Sequence, residues 1–314
     1  MPPKRIFSWI YFFPACFVGL ALGCAKIPDS PKVLATTTMV ADLVRHLLPP
    51  EISVGVLMGP GIDPHTYEPT ARTVSKLRQS SLIIGHGMHL EGRLTELLEG
   101  SQGTGIHQVY LVTTPLVHSH SARLRRADHG WDPHVWFDPI LWKLTLSPLS
   151  VVLADCFPDY AKDIESNCIS YAKELGQLHL EMQAGFMTIP ESRRVLITSH
   201  DAFAYLGAAY GLEVYSIQGI STAAEVSESS LRELADLAAN RRVGVGFLET
   251  TVSPRTLNKL CSLIRARSKP EFPLDFKLGG ELYSDSLGAP SSGAETYLGM
   301  MRHNLKIIQG ALMP

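Results

Sequence analysis

The segment GIDPHTYEPT, residues 61–70, sets His65 directly behind Asp63 and Pro64 and ahead of Pro69. Each proline fixes its own φ and biases its predecessor toward extended backbone, so the imidazole is held in a narrow range of directions. A ring restricted in this way suits a metal ligand, whereas a solvated histidine has no use for it. The arrangement recurs in DHGWDPHVWFDP, where His134 follows Asp132 and Pro133 with aromatic residues on both sides. His200 stands in LITSHDAF, where an apolar β-branched run gives way to a helical pattern. Asp285, in GGELYSDSLG, follows the last such run in a loop bounded by Gly and Ser. Three imidazoles and a carboxylate make an N/O donor set that suits Zn²⁺ well and Mn²⁺ or Fe²⁺ acceptably. Glu249, at the end of VGVGFLE, is the candidate to orient one of these rings from behind; it also reads as an ordinary carboxylate at a helix start.

The other histidines have plainer readings. His46 falls at a helix end, His179 on a long helix, and His107, His118, His120 and His303 at surface positions. The HSH of residues 118–120, together with His129, reads either as a metal-collecting loop or as a solvated one.

The elements that must carry these residues alternate. KVLATT (32–37), EISVGVLM (51–58), SLIIGHG (81–87) and QVYLVT (108–113) read as strands separated by amphipathic helices, one of them from about Thr70 to Gln79. The pattern resumes with RRVLITSH (193–200), EVYSIQG (213–219), VGVGFLE (243–249) and FPLDFKLGG (272–280), with helices near 201–210, 227–240, 253–266 and 293–312. Such βαβα alternation implies mostly parallel sheets covered by helices. Between the halves, residues 159–187 carry Tyr160, Ile164, Cys168, Tyr171, Leu175, Leu178 and Met182 at helical spacing and contain no proline. A helix of that length is ~43 Å long, long enough to act as a spine against both halves. The expected fold class is α/β: two lobes, each a mostly parallel sheet flanked by helices, joined by one long spine helix. The expected division is a signal segment 1–23, an N-terminal lobe 24–157, the spine 158–188 and a C-terminal lobe 189–314. In open parallel sheets ligands bind at the carboxyl ends of the strands, so the histidines and Asp285 are expected to meet between the lobes.

Composition narrows the function. Of the 314 residues 18% are charged and the formal net charge is -2, which gives no basis for nucleic-acid binding. Lys4 and Arg5 precede an uncharged run from Ile6 to Gly23, the order of a secretory signal. The run ends in LALGCAK, which resembles a bacterial lipoprotein cleavage box with Ala21 at the usual leucine position; Cys24 would then carry the lipid that anchors the mature chain to a membrane. Cys16 lies in the signal segment. Cys156, Cys168 and Cys261 are odd in number and lack Cys-x-x-Cys spacing, so they read as free thiols; the first two, if on one helix, are too far apart to bridge.

Along its length the sequence resembles the TroA-like zinc and manganese solute-binding lipoproteins of ABC transporters. The resemblance runs through VLATTTMVADLV, GPGIDPHTYEPT, DPHVWFD, ITSHDAFAYLGAAYGLEV, QGISTAAEVS and GGELYSDSLG to the final helix. It implies two α/β lobes joined by a long helix, with His65, His134, His200 and Asp285 as the metal ligands. Three histidines favour zinc, since manganese-specialised members usually have Glu where this chain has His200. The long His-rich insert of many zinc-specific members is reduced here to HSHSARLRRADH, and His86 stands where the family often has Asn. The implied function is that of a periplasmic or otherwise extracytoplasmic lipoprotein, expected as a monomer. It would capture Zn²⁺, or alternatively Mn²⁺ or Fe²⁺, between its lobes and deliver it to an ABC permease, with no catalysis. Two other functions fit parts of the sequence: a zinc hydrolase using the His/Asp site with Glu249 as general base, and an adhesin-type lipoprotein that takes up no metal.

Overall fold

A computed structural model describes residues 32–100, 106, 108–127, 130–224, 226–267 and 275–313. The signal segment, Cys24, His107 and His129 lie outside these residues.

The N-terminal half is built on a four-stranded parallel sheet of β1 (Val33–Ala35), β2 (Val54–Val56), β3 (Leu82–Gly85) and β4 (Val109–Leu111), in the order β2-β1-β3-β4. Side chains alternate across it, as the two-residue period of a strand requires. Val33, Ala35, Leu82 and Ile84 point into one cluster with α1 (Thr38–Leu47), and Leu34 and Ile83 into another with α2 (Ala71–Gln79) and α3 (Leu94–Glu99). With both faces covered, the strands read as unbroken apolar runs. Both α1 and α2 start on threonine caps: Thr37 Oγ1 accepts from the Val40 N–H, and Thr70 and Thr73 form a reciprocal capping box.

After α4 (Thr114–Ser119) comes a two-stranded antiparallel hairpin, β5 (Arg126–Ala127) and β6 (Gly130–Trp131), which the apolar periodicity does not announce. Residues 139–156, also unassigned from the sequence, form α5 (Pro139–Lys143) and α6 (Leu146–Cys156). The spine is α7 (Ala161–Met187), 27 residues long. Its buried stripe is Ile164, Tyr171, Leu175, Leu178, Met182 and Phe186, while Tyr160 precedes the helix and Cys168 is half-buried. Cys156 ends α6 and Cys168 lies in α7, so the two do not share one helix; with Cys261 both are free thiols, as expected.

The C-terminal half repeats the plan in two parallel pairs. β7 (Val195–Thr198) pairs with β8 (Glu213–Ser216), and β9 (Val245–Glu249) with β10 (Lys277–Leu282). β10 thus starts several residues later than its apolar run suggested. The helices are α8 (Ala204–Tyr210), α9 (Glu228–Arg241), α10 (Arg255–Arg267) and α11 (Tyr297–Leu312). Leu196 faces the cluster shared with α7 and α11, whereas Val195 and Ile197 face α9 and α10. One apolar cluster therefore runs from Val33 in β1 through α7 to Leu312 in α11, and joins the two halves.

Candidate metal centre

Both Asp-Pro-His segments fold the same way. The Asp63 carboxylate accepts from the His65 N–H at 2.9 Å, and the Asp132 carboxylate accepts from the His134 N–H at 3.0 Å. The aspartate thus closes a tight turn on the histidine two residues later, with the proline stiffening the turn between them. His65 hangs from the long β2–α2 connection, His200 follows β7, and Asp285 follows β10. His134 arrives by a different route, directly after the β5–β6 hairpin. Under His65 the chain passes so close that only glycine fits. Gly92 has φ +49, and a Cβ there would lie 2.4 Å from the His65 carbonyl oxygen.

These four side chains converge. One donor atom from each of His65, His134, His200 and Asp285 lies within 4.8 Å of the other three, and all four residues are buried. His65 Nε2 is 3.3 Å from His134 Nε2 and 4.0 Å from Asp285 Oδ2. His134 Nε2 lies 3.4 Å from Asp285 Oδ1, and His200 Nε2 lies 3.2 Å from Asp285 Oδ2. An ion with bonds of ~2.0–2.1 Å in tetrahedral geometry sets its donors ~3.3 Å apart. Three of these four spacings lie within about 0.1 Å of that figure, and His65 to Asp285 is wider at 4.0 Å.

The rings are aimed from behind. Asp132 Oδ1 lies 2.8 Å from His134 Nδ1, which holds the proton there and turns the Nε2 lone pair toward the centre. Glu249 Oε2 lies 2.5 Å from His200 Nδ1, a charge contact behind that ring that falls outside hydrogen-bond geometry. Its Oε1 accepts from the Ser199 and His200 N–H groups at 2.7 and 2.9 Å, which fixes the carboxylate against the backbone of the His200 turn. Residues missed by sequence reasoning are Asp63, Asp132 and Gly92. The repeated Asp-Pro-His spelling was the available signal for the two aspartates; nothing marked Gly92.

Burial and the close approach of Asp285 to the three rings pull their titration in opposite directions. Burial pushes the His65 pKa down to about 3, against the pull of Asp285. At His134 burial also works downward, but hydrogen bonds to Asp132 and Asp285 outweigh it and raise the pKa to about 9. His200 is likewise raised, because the Glu249 and Asp285 charges overcome its burial. Burial would raise Asp285, yet the surrounding imidazoles hold it well below the usual carboxylate range.

Of the four, only His65 borders a cleft of ≈ 400 Å³, which is also lined by Met88, His89, Arg126, Trp131 and Asp201. Gly87, Met88 and His89 all have positive φ (93, 54 and 59), so the chain turns sharply at the cleft wall. Across the cleft Thr222 Oγ1 donates to Asp63 Oδ2 at 2.5 Å, tying the C-terminal half to the His65 turn. Among the other described histidines, His89 lines the same cleft, His86 packs against Trp136 beside His134, His46 stacks on Tyr171, His179 contacts Tyr210, and His118 is exposed.

Comparison with known proteins matches residues 33–311 to the family model described as zinc-uptake complex component A, periplasmic. The chain is 34% identical over 288 residues to the zinc-binding protein TroA of Treponema pallidum (strain Nichols), covering 92% of this chain and 91% of that one. It is 31% identical over 281 residues to the manganese-binding lipoprotein MntA of Bacillus subtilis (strain 168), covering 90% and 89% of the two chains. The solved structure of the Treponema pallidum periplasmic zinc-binding protein TroA superposes with a TM-score of 0.84, over 91% of this chain and 100% of that one. With a family match over nearly all of the described chain, and a fold that superposes on a relative's solved structure, this protein belongs to the periplasmic component A family of zinc-uptake complexes.

Proposed function

We propose that the chain is an extracytoplasmic solute-binding protein that captures a divalent transition metal and hands it to an ABC permease. The ion is held by His65, His134, His200 and Asp285. The observation that carries this reading is the convergence of four buried donors at spacings close to those of a tetrahedral ion. The metal is cargo. It enters along the cleft past His65, the one member of the set that borders it. Zn²⁺ is the favoured ion and Mn²⁺ the second, because three nitrogen donors suit zinc, whereas manganese prefers oxygen. The names of the two similar proteins, one zinc-binding and one manganese-binding, span the same pair. Lipidation of Cys24 and a monomeric state complete the proposal.

The hydrolase alternative needs a free general base beside an open coordination position. Glu249 is the natural candidate, but its Oε1 accepts two backbone N–H groups and its Oε2 lies against the back of the His200 ring, at Nδ1. It serves as an orienting carboxylate.

The test is metal analysis of protein purified without added metal, followed by competition between Zn²⁺ and Mn²⁺. About one ion per chain, with zinc displacing manganese, is the expected result. Protein that takes up neither ion would overturn the reading in favour of an adhesin-type lipoprotein.

A further inference from the structure

His86 lies just past β3, fully buried and outside the set of convergent donors. Its backbone is fixed on both sides. The N–H donates to Glu91 Oε1 at 2.5 Å, and the carbonyl accepts from Thr113 Oγ1 at 2.7 Å and from the Thr113 N–H at 3.1 Å. The ring stacks on Trp142 at 5.8 Å and meets Trp136 edge-on at 5.1 Å; Trp136 in turn lies 5.2 Å from the His134 ring.

The ring nitrogens are unequal. Nε2 lies 2.7 Å from the Pro133 carbonyl oxygen, and a carbonyl only accepts, so the proton is on Nε2. Nδ1 is buried and has no hydrogen-bond partner among the described residues. If the side chain only filled space, Phe or Leu would do so without burying an unpartnered lone pair. The Nε2 bond is what the histidine supplies.

That bond lands at a sensitive place. The Pro133 carbonyl also accepts from the Val135 N–H at 2.7 Å, closing a tight turn centred on His134, whose φ is -76 and ψ 37. Two donors on one oxygen fix the peptide plane immediately before His134, while Asp132 holds the His134 N–H and Nδ1. We propose that His86 is a positioning residue for the metal centre: its Nε2–H clamps the Pro133 carbonyl and so sets the direction in which His134 Nε2 points. The inference rests on His134 being a ligand, as proposed above.

The test compares the full chain with its His86→Phe, His86→Gln and His134→Ala variants. Zn²⁺ affinity is measured by competition with a weak chelator, and melting of the metal-free protein is followed alongside. His86→Phe keeps the stacked ring and loses the donor; His86→Gln supplies an N–H at a similar reach. Losing groups that orient a ligand weakens metal binding ~10–100-fold, and that is the loss expected for His86→Phe, with His86→Gln recovering most of it. On the His134→Ala background, His86→Phe should cost less than about a further twofold, because its effect passes through His134. Unchanged affinity in His86→Phe, no recovery in His86→Gln, or an equal loss on the His134→Ala background would each overturn the proposal. If His86→Phe fails to fold, His86→Met replaces it as the variant without a donor, with the same expected outcomes. Wild-type protein that binds no zinc would instead overturn the metal-site reading itself.

Discussion

Asp285 is the one anion among three imidazoles, and its surroundings decide how the centre responds to pH. In the metal-free protein His134 and His200 have raised pKa values, His134 at about 9, whereas His65 is depressed to about 3. An ion bound by these rings would compete with protons, most of all at the raised His134 and His200. The sign follows: zinc affinity falls as pH drops below about 9, because protons on the raised imidazoles compete with the ion. Titrations of Kd from pH 9 to 5 check this, and a flat profile would contradict it. The same shift acts on stability. A folded pKa raised above the ordinary value stabilises fully below pH ~6.5 and is lost as pH rises through about 9. Metal-free protein should accordingly melt lower at pH 9 than at pH 6.5, by whatever His134 contributes. Asp285→Ala should weaken Mn²⁺ more than Zn²⁺, since manganese depends on oxygen donors and zinc keeps three nitrogens; affinities unchanged for both ions would mean that Asp285 is only a turn residue. Gly92→Ala adds a Cβ 2.4 Å from the His65 carbonyl at φ +49. It should displace the His65 turn and lower affinity for both metals, which isothermal titration would detect. At this scale His65 and His134 were legible because proline-stiffened turns are written in adjacent residues, and His200 because it closes an apolar β-branched run. Gly92 and His86 were not, since their roles come from contacts with segments 27 and 47 residues away in sequence.

At the scale of elements, α7 was legible because its apolar stripe, with half-buried Cys168 included, recurs every three or four residues from Ile164 to Phe186 without a proline. α5 and α6 were not. Pro139 and Pro148 interrupt the run, and its apolar residues are too continuous to show a period. Both prolines sit in the first turn of their helices, where no intrahelical N–H is lost. The β5–β6 hairpin has two residues per strand, too short for alternation to register. The load on α7 can be measured. Leu175 is fully buried in the cluster shared by the two halves, so Leu175→Ala should destabilise the protein by about 2–5 kcal/mol. Urea denaturation tests this, and a loss below ~1 kcal/mol would place Leu175 at a site able to collapse around the deletion.

For the molecule as a whole, the apolar cluster that runs through β1, α7 and α11 leaves little freedom for a large hinge motion on loading. A continuous helix with a packed stripe resists bending more than a loop connection does, so capture should involve the loops that carry His200 and Asp285. Scattering curves of metal-free and zinc-loaded protein are expected to superimpose; a clear change in radius of gyration would show that the halves move as bodies. The alternation of strands and helices was legible along the chain because buried parallel strands are written as apolar runs. The convergence of residues 65, 134, 200 and 285 was not written locally, since it depends on where the sheets end in space. The most direct test of the account is anomalous diffraction at the zinc edge from crystals of the zinc-loaded chain. The account predicts a single peak bonded at ~2.0–2.2 Å to three histidine Nε2 atoms and to Asp285, with no water on the ion. A zinc ion held elsewhere, or by the histidines with a coordinated water and Asp285 turned away, would contradict it.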